Sequence, residues 1–157
     1  MSPPEPMTET DESTRDGRAS RTAVGAVGGL LATLVMTVFR LPTAKSLPPT
    51  AEFLGRWVGG APDDYPVSSL ALHFGYGVVA GVLFALGCER RIERSDRPET
   101  AGLVAGAAYG AALSVVGERV VLRHLVGQRL AADESAVFHA GHLMYGLTLG
   151  VWAGSRD

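Results

Sequence analysis

Four stretches of this chain carry no Asp, Glu, Lys or Arg: residues 22–39, 67–88, 100–117 and 135–155, separated by short polar segments. Each is close to the ~20 residues a helix needs to cross a ~30 Å hydrocarbon layer. A helix of a water-soluble bundle keeps a polar stripe on its solvent side, whereas here Gly, Ala, Val and Leu occupy every face of each stretch. The pattern predicts an all-α protein, a four-helix transmembrane bundle spanning residues 22–155. Residues 1–21 mix acidic and basic side chains with Pro3, Pro4 and Pro6 and have little to bury, so they read as a disordered tail. A signal peptide is a poor reading of the first stretch, because Phe39 and Arg40 stand where a small-residue cleavage site would be needed.

The second and fourth stretches align without gaps. Leu70-Ala-Leu-His73-Phe-Gly-Tyr76-Gly77-Val-Val-Ala-Gly81-Val82 lies over His139-Ala-Gly-His142-Leu-Met-Tyr145-Gly146-Leu-Thr-Leu-Gly150-Val151, and the first and third share Gly25 and Gly29 over Gly102 and Gly106. The chain therefore reads as a tandem repeat of two helices. Two crossings separate the copies, so they run in the same direction. Glycines four apart recur in every stretch: Gly25 and Gly29, Gly77 and Gly81, Gly102 with Gly106 and Gly110, Gly146 and Gly150. Four apart is one helix face, and a face without side chains lets backbones approach closely in lipid. These glycines are read as packing seams between helices; the alternative is that some face a second copy of the chain.

The two longer connections carry helical patterns of their own. Pro48 to Gly60 predicts a short helix with Thr50 as N-cap and Phe53, Leu54, Trp57 and Val58 on one side. Val120 to Leu130 places Val121, Leu122, Leu125 and Val126 on one face and sets Arg119, Arg123 and Arg129 apart from it. Both suit interfacial helices, with Trp57 and the arginines at headgroup level. The cluster Arg90, Arg91, Arg94 and Arg97 in the short middle connection puts that side in the cytoplasm by the positive-inside rule, and with it both termini of a multi-pass plasma-membrane protein.

Candidate chemistry is sparse. His73 and His142 hold equivalent positions and should sit at one depth, with Tyr76 and Tyr145 three residues on along the same helix faces. His139 adds a third imidazole where the first copy has Leu70. The favoured reading is that these side chains hydrogen-bond carbonyls, tyrosines or water at helix crossings. Two alternatives stay open: convergence of His73, His139 and His142 on zinc, copper or a haem iron, and a proton or ion path through the same three residues in a small transporter or channel component. Such a path lacks an inner half, since the far ends of the stretches hold no Asp, Glu, His or Lys. Glu118 and Arg119 read as a solvated helix end. Cys88 is the one cysteine, so no internal disulfide forms. There is no phosphate loop, dinucleotide fingerprint, catalytic triad or zinc-protease spacing, and no basic patch for nucleic acid. The expectation is a non-enzymatic protein without a cofactor, its partners the lipid bilayer and either a second copy or another membrane protein.

The first stretch ending in Met36-Thr37, the proline-rich approach to the short amphipathic helix, and the two H-x-x-Y-G-x-x-x-G segments together resemble small uncharacterised YagU-like inner-membrane proteins of prokaryotes. The likeness covers about Gly25 to Gly154. It implies a multi-pass location and a structural or accessory role, with no established activity.

Overall fold

The computed structural model describes residues 9–42 and 48–156, with side chains from Gly17 onward. Among these residues there is no strand. Five α-helices follow one another: α1 (Glu9–Arg40), α2 (Pro49–Val58), α3 (Pro66–Glu93), α4 (Pro98–Val116) and α5 (Ala132–Gly154). A 3-10 turn at Pro62–Asp64 leads into α3, and a π-helical segment at Gly117–Val126 extends α4. Helices α2, α3 and α4 each begin on a proline, whose missing N–H would have had no partner in the first turn anyway.

Several expectations need correction. Residues 9–21, read as tail, continue α1; Arg21 Nε donates to the Gly17 carbonyl at 2.9 Å and the Thr22 hydroxyl to Arg18 at 3.0 Å. Once the apolar part has nucleated a helix, each further residue adds a hydrogen bond at small entropic cost. Residues 1–8, Lys45 and Asp157 lie outside the described residues. Thr50 is not an N-cap: Pro48 holds that position, and the Thr50 hydroxyl donates instead to the Ser69 carbonyl at 2.7 Å, fastening α2 to α3. The second connection is not a separate interfacial helix. Gly117 keeps helical dihedrals (φ −56°, ψ −51°), so α4 and the π segment form one rod that stops only at Gly127, where φ is +78°. The wider register shows in His124, whose Nδ1 lies 2.7 Å from the carbonyl of Arg119, five residues back.

Three rods are long and apolar enough to cross a membrane: Gly17–Arg40, Pro66–Glu93 and Pro98–Val126. Helix α5 is not among them. His139, His142, Tyr145 and Trp152 reduce its hydropathy, and it can carry them because it is enclosed, packing against α1, α3 and α4 and burying Phe138, His142, Tyr145, Leu149 and Ala153.

Two antiparallel glycine seams organise the bundle. Between α1 and α3, a Cβ built on Gly25 would stand 2.7 Å from the Gly81 carbonyl oxygen, and one on Gly29 would press on the Gly77 carbonyl. Between α4 and α5, Cβ atoms on Gly102, Gly106 and Gly110 would meet the carbonyls of Gly150, Gly146 and His142 in turn. The seams end at different depths. The second continues to Gly154, against Pro98 and Glu99, whereas the first gives way to Ala85. The two hairpins meet through α1 on α5 and through α3 on α4 and α5, around a core of Met36, Phe84, Ile92, Tyr145 and Leu149. Helix α2 lies across one end, against α3 and the π segment; this is the capped end, where α1 finishes and α3 and α5 begin.

Candidate functional site

At the capped end the four long helices leave a cavity of about 240 Å³. Leu72, Leu113, Val121, Leu122 and Phe138 are among the residues that line it, and Phe53 of α2 closes it from above. Four of the five polar residues singled out from the sequence line it: His73, Tyr76, His142 and Tyr145. Arg40, at the last turn of α1, joins them.

His139, the fifth, does not. Its Nε2 lies 2.8 Å from Glu118 Oε2, which also accepts from the Ser135 hydroxyl at 3.2 Å. Three residues before His142 is a rotation of about 60° away around the helix, enough to turn His139 to the start of the π segment. Glu118, read as a solvated helix end, is thereby a partly buried link between the π segment and α5, its side chain 16% exposed. Among the described residues no three His, Cys, Asp or Glu side chains come together where they could hold a metal ion.

The hydrogen bonds assign the imidazole protons. His142 Nδ1 is 2.9 Å from the Phe138 carbonyl oxygen, which can only accept, so Nδ1 carries the proton of the neutral ring and Nε2 presents a lone pair. The Thr37 hydroxyl donates to the Thr33 carbonyl at 2.7 Å, leaving its oxygen to accept a long contact from His73 Nε2 at 3.4 Å. Tyr145 is buried and its hydroxyl donates to the Gly77 carbonyl at 2.6 Å, tying α5 to α3. Its counterpart Tyr76 is 44% exposed at the rim. The matching motifs thus occupy unlike surroundings, because α5 is central to the bundle and α3 peripheral.

At the opposite end lies a pair absent from the sequence reading. The Glu89 side chain is 1% exposed and its Oε1 accepts from Arg156 Nη2 at 2.7 Å; the Arg156 guanidinium also stands 6.0 Å from the ring centre of Trp152. Trp152 Nε1 in turn donates to the Val24 carbonyl at 3.1 Å, so the C-terminal turn is held to α1 and α3 together. The signal was present: Gly77, Gly81, Ala85 and Glu89 are spaced by four, so the seam face runs on into the carboxylate. Phe84, Leu149 and Ala153 pack between the cavity and this pair, with the Tyr109 hydroxyl donating across the bundle to the Ala80 carbonyl at 2.7 Å.

Helix α2 is held by hydrogen bonds to its neighbour. Arg56 Nη1 donates to the Val126 carbonyl at 2.8 Å and Trp57 Nε1 to the Leu125 carbonyl at 3.2 Å, which satisfies carbonyls that the end of the π segment leaves open. Arg56 presses against Gly127, where any Cβ would collide with it.

No protein-family model, curated protein or solved structure matches this chain.

Proposed function

We propose that this chain is a multi-pass plasma-membrane protein of four crossings, both termini cytoplasmic, built from two tandem glycine-seamed hairpins and acting as a structural or accessory component without enzymatic activity. The observation that carries this reading is the inverted distribution of side-chain size. Val27, Leu34 and Val38 of α1, Val79 and Leu83 of α3, Val104 of α4 and Val151 of α5 are exposed, while glycine and alanine fill the contacts between helices. In water so much outward apolar surface would drive aggregation; in hydrocarbon it has no penalty, and small residues where helices cross give the close backbone packing that holds membrane helices together. Helix α5 belongs to the same scheme because its 23 residues reach about 34 Å, enough to cross with His142 and Tyr145 turned inward. Kinship with YagU-like proteins forms part of this proposal and assigns no reaction.

A proton or ion path is the second reading, favoured by a buried carboxylate at one end and histidines at the other. The apolar packing of Phe84, Leu149 and Ala153 between them argues for the accessory role instead.

Single cysteines at Ser95, Arg129 and Ser155 in a Cys88→Ser background test the topology with a membrane-impermeant thiol reagent. Arg129 labelling from outside intact cells, with Ser95 and Ser155 reached only after lysis, is the expected pattern. Labelling of Arg129 and Ser155 from the same side removes the fourth crossing, and release of the protein by alkaline carbonate removes the membrane reading altogether.

A further inference from the structure

We infer that the cavity at the capped end binds a single-chain fatty acid, with its carboxylate on Arg40 and its alkyl chain among the apolar side chains beneath. Arg40 stands in the last turn of α1, just past the charge-free stretch 22–39. Its stem runs over Gly141 of α5, where a Cβ would lie 3.6 Å from Arg40 Cδ, and its Nε is buried. Among the described residues that line the cavity, Arg40 is the one group of permanent charge, and none is Asp or Glu. In an enclosure of low dielectric a positive charge attracts an anion more strongly than it does at the surface, and a neutral head group gains nothing comparable. A carboxylate takes two of the five N–H donors of a guanidinium in a parallel fork, so the others stay available to protein groups.

The π register builds one wall for the chain. Gly117, Val121, Leu122 and Val126 all line the cavity, although in an α-helix, at ~100° per residue, Val126 would point about 180° away from Gly117. Hydrogen bonds to the fifth residue back widen the turn, so residues four, five and nine apart share a face, and the segment Gly117–Val126 presents all four inward. Helical turns of this kind are rare and concentrate at functional sites. The volume of about 240 Å³, against ~150 Å³ for a cavity that takes up the six carbons of benzene, scales to room for about ten carbons. That suits one alkyl chain and not the two of a phospholipid. Leu72 and Tyr76 line the cavity and are also exposed, so its mouth opens on the outward surface of α3, where a longer chain continues. A charged head at the end of an apolar stretch with the chain below it matches the orientation of an amphiphile in one leaflet. Only entry from the bilayer rests on the membrane reading; the site itself stands on the cavity and on Arg40.

Decanoate labelled with ¹³C at the carboxyl carbon is titrated into the full-length protein in mild detergent at neutral pH, and its resonance is compared with that in empty micelles. A saturable shifted component is expected, displaced by decanol or decyltrimethylammonium about tenfold or more less effectively than by unlabelled decanoate, the scale of a lost hydrogen bond between charged groups. Arg40→Gln should weaken binding by a similar factor and Arg40→Lys, which keeps the charge but not the fork, by less. Val121→Phe, which fills the cavity, should abolish it. The absence of a saturable component, or displacement by decanol as effective as by decanoate, overturns the inference and needs no variant. So does unchanged decanoate affinity in a folded Arg40→Gln or Val121→Phe protein. Displacement by a two-chain phosphatidate as effective as by decanoate assigns the site to a phospholipid and overturns the single-chain reading. None of these outcomes bears on the number of crossings, which the cysteine labelling decides separately.

Discussion

Replacing Gly146 by alanine tests whether the α4–α5 seam is held by backbone contact. A Cβ there would meet the Gly106 carbonyl oxygen and stand 2.8 Å from both the Cα and the N of Gly110. Carbon atoms pack at about 3.5–4.0 Å, so α4 and α5 must separate by roughly 1 Å, and a gap of that size forfeits up to about half of each contact energy. The obstacles are backbone atoms and cannot rotate aside. Overpacking of this kind costs about 1–3 kcal/mol, and the rigid obstacle puts Gly146→Ala at the upper end. The better helix propensity of alanine returns up to ~1 kcal/mol, leaving a net loss of about 2 kcal/mol, or roughly 30-fold in the folded-to-unfolded ratio. Gly75→Ala is the control, because a Cβ there meets nothing within 4 Å. It should be neutral or stabilising by up to ~1 kcal/mol. Thermal unfolding in detergent, followed by exposure of the half-buried Cys88 to a thiol-reactive dye, reads both variants. Equal midpoints for Gly146→Ala and the wild type, or destabilisation by Gly75→Ala as large as that by Gly146→Ala, would refute the reasoning.

Other outcomes follow from individual contacts. Tyr145→Phe loses the bond to the Gly77 carbonyl and should destabilise by about 0.6–2 kcal/mol in the same assay, while Tyr76→Phe at the exposed rim should leave the midpoint unchanged. Arg156→Ala strands the Glu89 carboxylate; with Arg156 31% exposed, a loss of about 2 kcal/mol is expected, below the ~3–5 kcal/mol of fully buried pairs. The double variant Glu89→Gln with Arg156→Ala should recover most of that loss, and strict additivity would show that the two groups do not interact. Glu118→Gln should change stability by no more than about 1 kcal/mol, since its partner His139 is 41% exposed and an open pair of this kind contributes little.

The site was partly legible in the sequence. His73, Tyr76, His142 and Tyr145 share a spacing that puts them on corresponding helix faces, and all four reach the cavity. His139 was misplaced because membership of a face tolerates only a limited rotation, and its own angle carries it to Glu118. Glu89 falls just beyond the charge-free stretch 67–88, although its four-residue spacing from Ala85 puts it on the seam. Charge counting alone cannot tell a carboxylate at a helix end from one folded beneath a guanidinium 67 positions later in the chain.

The chain's local pattern determined the helices and the glycine faces on which they meet, because helix periodicity and the absence of charge are properties of neighbouring residues. Tertiary structure alone decided which hydroxyls are already committed, that α5 is the enclosed helix, that α2 closes a cavity, and that His142 lines it. Those outcomes depend on groups far apart in sequence meeting within hydrogen-bond distance, and no local spacing encodes that meeting.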